Sequence, residues 1–306
     1  MLLKFAVKDF MEDRELKNIS SYTLDRYTRT LNEFHEFCVK DEIVNAEQVT
    51  NNTIKKYLLY CQNEKGNNPT TKNSKLRVLK SFFNYLVESN YIDEKLNPSK
   101  KVNYAREDIK IEVFNDYHIK QMLSYYRKIK DQSKSFYSIR DYTLILFLLS
   151  TGCRLGEVSN LKWNDVDLVN QVATVFGKKR EMSSIPLVDK IIKELMEFKL
   201  YCEKHFKGQV EYVFPNHDNS QLTPNAIKCI FKRLQKVMGF KDVRLSAHTF
   251  RHTMAHRMIM NGADVFTLQK MLRHTDLDMS KKYLALWGTA LKEQNDKYNP
   301  LNHLEV

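Results

Sequence analysis

The chain has 306 residues, a formal net charge of +12, only 8 Gly and 6 Pro, and abundant aliphatic and aromatic residues. That balance fits two ordered, mostly helical domains, each able to bury its own core, and excludes a low-complexity or disordered chain. The excess charge is spread out, with 18 Lys and Arg against 14 Asp and Glu in residues 1–106 and 31 against 23 in 107–306, which favours a polyanionic partner over a membrane surface.

Residues 1–100 read as a helical domain of four helices. A short one begins at Val7-Lys8-Asp9-Phe10-Met11. Ser20-Ser21 caps a longer one whose apolar stripe is Leu24, Tyr27, Leu31, Phe34 and Cys38, a helical period. Thr50 to Cys61 gives the third. Thr70 or Thr71 opens the fourth, with Leu76, Leu79, Phe83 and Leu86 inward and Lys72, Lys75, Arg77 and Lys80 along the other side. A basic side on an amphipathic helix is either a solvated face or, in a chain of this charge, a set of phosphate contacts. Asn97-Pro98 stops the fourth helix, and the polar run over 101–112 reads as a linker.

The second domain, 113–306, is expected to be mainly α with a small antiparallel sheet. A helix from Asp116 to Lys130 precedes a strongly apolar one, Tyr142 to Ser150, which runs into Thr151-Gly152-Cys153-Arg154-Leu155-Gly156-Glu157. Three strand-like runs follow at Val166–Leu168, Val172–Phe176 and Ser184–Leu187, with Gly177-Lys178-Lys179-Arg180-Glu181 as the second turn. Asp189 to Lys204 is helical. Thr223-Pro224 is an N-cap with proline at N1, and Gly239 ends that helix. Ser246 caps a helix carrying Phe250, Met254 and Met258; Asn261-Gly262 ends it, and Asp264 caps the next. The stretch from 286 to 306, with Leu286, Trp287 and Leu291, reads as a short amphipathic tail.

Taken one at a time, the polar motifs are weak. The five cysteines are odd in number and form no C-x-x-C pair, as expected of reduced thiols in a cytoplasmic protein. The longest aliphatic-aromatic run, Leu144–Leu149, is far short of a membrane span or a secretory signal. His248, His252 and His256 form a ladder at four-residue spacing, but Arg251 and Arg257 are interleaved, and cation repulsion opposes a metal there. Arg154 by itself suits a salt bridge to Glu157. No Gly-rich phosphate loop, H-E-x-x-H or carboxylate cluster is present.

Taken together they resemble something definite. Thr151-Gly152-x-Arg154-x-x-Glu157, then His248-x-Phe250-Arg251-His252-x-x-Ala255, then Leu272-x-His274, then Tyr283 nine residues on, are similar to the motifs of the tyrosine recombinase (phage integrase) family. The overall size resembles its compact Xer-type members. The resemblance implies an N-terminal SAM-like core-binding domain and a C-terminal catalytic domain with Arg154, Lys178, His248, Arg251, His274 and Tyr283 as its site. Lys178 is chosen for the family's turn lysine because Gly177-Lys178 matches its G-K start, with Lys179 as the alternative. Two departures stand out: Arg273 occupies the position where the family usually has glycine, and the turn Gly177–Glu181 is shorter than usual.

These residue types suit phosphodiester chemistry. Two guanidiniums, Arg154 and Arg251, can hold non-bridging oxygens and offset charge in a pentacoordinate transition state. The Tyr283 phenol, ionised to only about one part in 10³ at neutral pH, needs a proton acceptor, and His248 is the candidate. The resemblance implies that His274 hydrogen-bonds the phosphate and that Lys178 protonates the departing 5′-oxygen. It further implies a site-specific recombinase working without metal, ATP or other cofactor, through a 3′-phosphotyrosyl link and a Holliday junction. Its partners would be double-stranded DNA target sites, a homotetramer joined through the tail, and an accessory directionality factor; no membrane is involved. Lys72, Lys75, Arg77, Lys80, Lys179 and Arg180 are the expected DNA contacts, and the location is cytoplasmic, at the nucleoid. A type IB topoisomerase and a non-catalytic DNA-binding protein of the same fold remain the alternatives.

Overall fold

The computed structural model describes residues 1–107, 111–177, 182–273 and 283. The chain forms two compact units, 1–109 and 110–306. In the first, α1 (Leu3–Leu16), α2 (Ser21–Lys40), α3 (Asn51–Asn63) and α4 (Pro69–Glu88) enclose one core. Leu31, Phe34 and Cys38 of the α2 stripe are fully buried, packing with Phe10 from α1, Tyr57 from α3, and Phe82 and Phe83 from α4. The start of α4 is set by Asn68, whose side chain accepts the Thr71 N–H at 2.9 Å with Pro69 at the first helical position. Proline is at home there because that N–H would have no intrahelical partner. Beyond α4, the segment read as a linker is tied to this unit over its first half. Val102 lies in the core, and buried Asn73 binds the Ala105 backbone in both directions at 2.8 Å.

One basic residue of α4 is paired within its own unit. Lys75, expected on the DNA-facing side, turns its ammonium inward to the Glu33 carboxylate at 2.7 Å. Burial works to raise the Glu33 pKa, but bonds from Lys75 and Cys61 hold it below the usual range. The partner is 42 residues away, so nothing in the local periodicity of α4 separates Lys75 from its neighbours. Lys72 bonds Gln62, and Arg77 and Lys80 lie over the Tyr104 ring at 5.7 and 5.2 Å.

The second unit contains α5 (Asp116–Ser133), α6 (Phe136–Thr151), α7 (Leu155–Asn160), the meander β1 (Val166–Asp167), β2 (Val172–Phe176) and β3 (Met182–Pro186), then α8 (Asp189–Phe206), α9 (Pro224–Met238), α10 (Ala247–Met260) and α11 (Val265–Leu272). Helix α6 begins at Phe136, earlier than the apolar run from Tyr142. The charged residues before that run are buried as a pair: Arg140 binds Asp141 through Nε at 3.0 Å and Nη2 at 2.7 Å. Strand β3 opens at Met182 because its register is dictated by β2, with Phe176 opposite Met182 and Ala173 opposite Ile185. No helix among the described residues is long and apolar enough to cross a membrane.

Helix α10 has two buried sides. Phe250 belongs to the main core with Phe114 and Phe231, while Met254, Ala255 and Ile259 form a smaller cluster with Leu268 and Leu272 of α11 and with Tyr283. The Phe114 N–H donates to Thr253 Oγ1 at 2.8 Å, fastening the approach to α5 onto this helix. A helix held on both sides is a rigid mount for the polar side chains between its buried stripes.

Candidate active site

Arg154 is aimed by the turn before it. Gly152 caps α6 with φ +58°, a left-handed conformation that glycine adopts without strain. A Cβ there would meet Met254 Sδ at 3.4 Å, an ordinary contact, so it is the left-handed backbone and not the space that favours glycine. Past the turn, the Arg154 N–H donates to Glu157 Oε2 at 2.8 Å and its Nη1 to Oε1 at 2.7 Å, while Nη2 donates to the Arg273 carbonyl at 3.0 Å. The salt bridge expected at this spacing is present, with the Arg154 side chain about a third exposed (34%) and Glu157 buried.

Arg251, on α10, is buried. Its Nη1 donates to the Gly152 carbonyl at 2.9 Å, and its Nη2 donates to the Leu272 carbonyl. Two main-chain acceptors from different segments thus fix the plane of the guanidinium against both the α6 turn and the end of α11. Burial, then the positive charges of Arg154 and Arg273, push the Arg251 pKa down to about 10, so it remains a cation at neutral pH.

The phenol of Tyr283 meets an imidazole, and that imidazole is His252: Nδ1 lies 2.7 Å from the hydroxyl oxygen. His248, named from the sequence as the proton acceptor, is exposed on the first turn of α10, its ring 6.4 Å from that of His252. Four-residue spacing puts both rings on one helical face, so the sequence pattern does not separate them. Burial, with His248 and Arg251 adding to it, lowers the His252 pKa to about 4; the ring is neutral at pH 7 and able to accept a proton at one nitrogen. Tyr283 is itself buried, which raises its pKa, while the cations Arg251 and Arg154 pull the other way.

That neutral imidazole has a consequence for stability. An unfolded histidine with the ordinary value of 6.5 takes up its proton before folded His252 does, so the stability carried by the neutral ring is complete above about pH 6.5 and drains away down to about pH 4. His252→Gln is expected to lose less stability over that interval than the parent chain, as measured by urea denaturation at stepped pH.

Arg273 stands where a glycine was anticipated from the resemblance, and its backbone still takes the glycine-like shape, φ +53° and ψ 48°, as the C-cap of α11. A side chain in that region costs about 1 kcal/mol. The Cys153 thiol is pushed up to about 11 by burial, which removes it as a nucleophile. Lys178, Lys179, Arg180, His274 and the tail residues Leu286, Trp287 and Leu291 lie outside the described residues.

Within the described residues, then, the motifs that lie far apart in sequence meet as two guanidiniums, a shared carboxylate, a neutral imidazole and a phenol. The chain belongs to the phage integrase family, whose model matches residues 114–287; the family's N-terminal SAM-like domain matches residues 7–93. Among its relatives is the tyrosine recombinase XerC of Listeria innocua serovar 6a, 25% identical over 288 residues and covering 93% of each chain. In fold it is similar to the Tn1549 transposon integrase solved with transposon right end DNA (TM-score 0.74, 19% identity, 92% of this chain and 94% of that one). It is similar also to the XerH site-specific recombinase bound to palindromic difH substrate (TM-score 0.75, 21% identity, 92% and 81%).

Proposed function

We propose that the chain is a site-specific DNA recombinase that breaks and rejoins strands by transesterification at Tyr283. The observation that carries this reading is the phenol held at 2.7 Å by a neutral imidazole, in a site where Arg154 and Arg251 are fixed by neighbouring backbone and carboxylate. The phenolic oxygen attacks the scissile phosphorus while its proton passes to an imidazole, His252 being the ring in contact and His248 the next along the face. The bond from phosphorus to the 5′-oxygen breaks, and Lys178, or Lys179 beside it, gives that oxygen its proton. Arg154, Arg251 and His274 hold the non-bridging oxygens. The 3′-phosphotyrosyl ester keeps the energy of the broken bond, so a 5′-hydroxyl from a second strand reverses the step without ATP or metal.

The wider assembly follows the same reading. The relatives named above are recombinases by name or are solved on DNA, which supports duplex DNA, contacted chiefly at its phosphates, as this chain's partner. Lys72, Arg77 and Lys80 on the first unit, and Lys179 and Arg180 on the second, are its proposed contacts. Four copies would exchange strands through a Holliday junction, each docking its tail into a neighbour, in the cytoplasm at the nucleoid.

The test is a nicked duplex carrying the recombination site. The protein is expected to form an adduct that survives SDS, to carry the DNA phosphate on the Tyr283 peptide after digestion, and to do so equally in EDTA. A phosphate recovered on another residue, or cleavage lost in EDTA, would overturn the reading.

A further inference from the structure

Arg273 combines three features that its place at the end of a short helix does not require. It sits in the left-handed region, where glycine would be unstrained. Its side chain is nevertheless buried, 6% exposed. Its donors are directed inward: Nη2 binds Glu157 Oε2 at 2.8 Å and Nη1 binds the Met271 carbonyl at 2.9 Å, while the buried Nε has no hydrogen-bond partner among the described residues. A cation is thus buried beside two others, Arg154 and Arg251, at a position that would be more relaxed without any side chain.

The bonding pattern indicates what this arrangement does. Glu157 offers one carboxylate to two arginines: Oε1 takes the Arg154 side chain, and Oε2 takes both the Arg154 N–H and Arg273 Nη2. The Arg273 carbonyl in turn receives Arg154 Nη2 at 3.0 Å. Arg154 is therefore gripped from two sides, and Arg273 is present on both, once through its carbonyl and once through the carboxylate. Burial works to raise the Glu157 pKa, but Arg273 and the Arg154 bonds hold it low, so the carboxylate stays charged as the hinge of the arrangement.

We propose that Arg273 is a positioning residue for strand cleavage: its guanidinium locks the Glu157 carboxylate and through it the pose of the Arg154 guanidinium. It is assigned no contact with the phosphate, because its side chain is buried and both terminal nitrogens are engaged by Glu157 and Met271. The inference rests on the recombinase reading given above. It also separates the two contributions of Arg273, since any substitution keeps the carbonyl and only some remove the lock.

The experiment is single-turnover cleavage of the nicked duplex by the full chain and by Arg273→Gly, Arg273→Lys, Glu157→Gln and the Arg273→Gly/Glu157→Gln pair, with DNA affinity and thermal midpoint measured on each. Arg273→Gly is expected to cleave about 10-fold to 100-fold more slowly, with DNA affinity unchanged and a midpoint no lower than that of Glu157→Gln. Arg273→Lys, which keeps the charge without the planar fork, should recover part of the rate. In the Glu157→Gln background the glycine should cost little more, because the lock is already broken. A folded Arg273→Gly that cleaves at the parental rate overturns the proposal, as does a full additional loss in the double variant. Should Arg273→Gly not fold, Arg273→Lys and an added Arg273→Lys/Glu157→Gln pair take its place in the cycle, and a lysine variant at the parental rate or a full additional loss in its pair overturns the proposal. If the unaltered chain forms no adduct, the recombinase reading fails first and separately.

Discussion

Tyr283→Phe is expected to give a folded protein that binds DNA and forms no covalent adduct. The substitution removes one oxygen and leaves the ring, so the packing against Met254, Ala255, Ile259, Leu268 and Leu272 is retained. The hydrogen bond to His252 is lost, but that ring is only partly buried and water can replace the phenol, which limits the change in stability to about 1 kcal/mol. Chemistry has no such substitute, since the attacking oxygen is the atom removed. SDS-resistant adduct on a nicked duplex should therefore fall to background while the DNA dissociation constant stays put. An adduct at the parental level would show that another residue is the nucleophile.

Arg251→Ala should be damaging twice. Its loss takes a fixed donor away from a phosphorane in a partly dehydrated site, which slows cleavage by about 10²–10³-fold. It also strips the Gly152 and Leu272 carbonyls of their shared donor, at roughly 1–3 kcal/mol for each buried acceptor left unpaired. Some of that cost is returned, because one of three crowded cations disappears. Arg251→Lys distinguishes the two effects: it keeps the charge but cannot bridge both carbonyls in one plane, so it should recover stability better than rate. Single-turnover cleavage and thermal melts on both variants would check this, and a rate for Arg251→Ala within a few-fold of the parent would remove Arg251 from the chemistry.

Much of the architecture was legible because it is local. The three- and four-residue spacing through Leu31, Phe34 and Cys38 declares the buried face of α2, and Thr223, Ser246 and Asp264 each cap the helix they precede. What escaped depends on partners far along the chain. Arg140 and Asp141 extend α6 because they neutralise each other inside the core, which a hydropathy pattern scores as a break. Lys75 is indistinguishable from its neighbours until Glu33 is known to face it. The residues of the site were visible as types in order, but their mutual geometry was not. Which of two imidazoles on one face meets the phenol depends on where α11 and Tyr283 pack. Arg273 could be seen as a departure, whereas its buried bond to Glu157, 116 residues earlier, could not.

The small cluster that carries Tyr283 is separate from the main core around Phe250, while Arg154 and Arg251 are braced by the α6 turn and by α10. Opening this patch therefore exposes less oily surface than melting the domain, and amide protons there should exchange with heavy water sooner than those of α6. The end of α11 also holds Arg251 and Arg154 through the Leu272 and Arg273 carbonyls, so loosening this patch would unseat both cations together with the reactive oxygen.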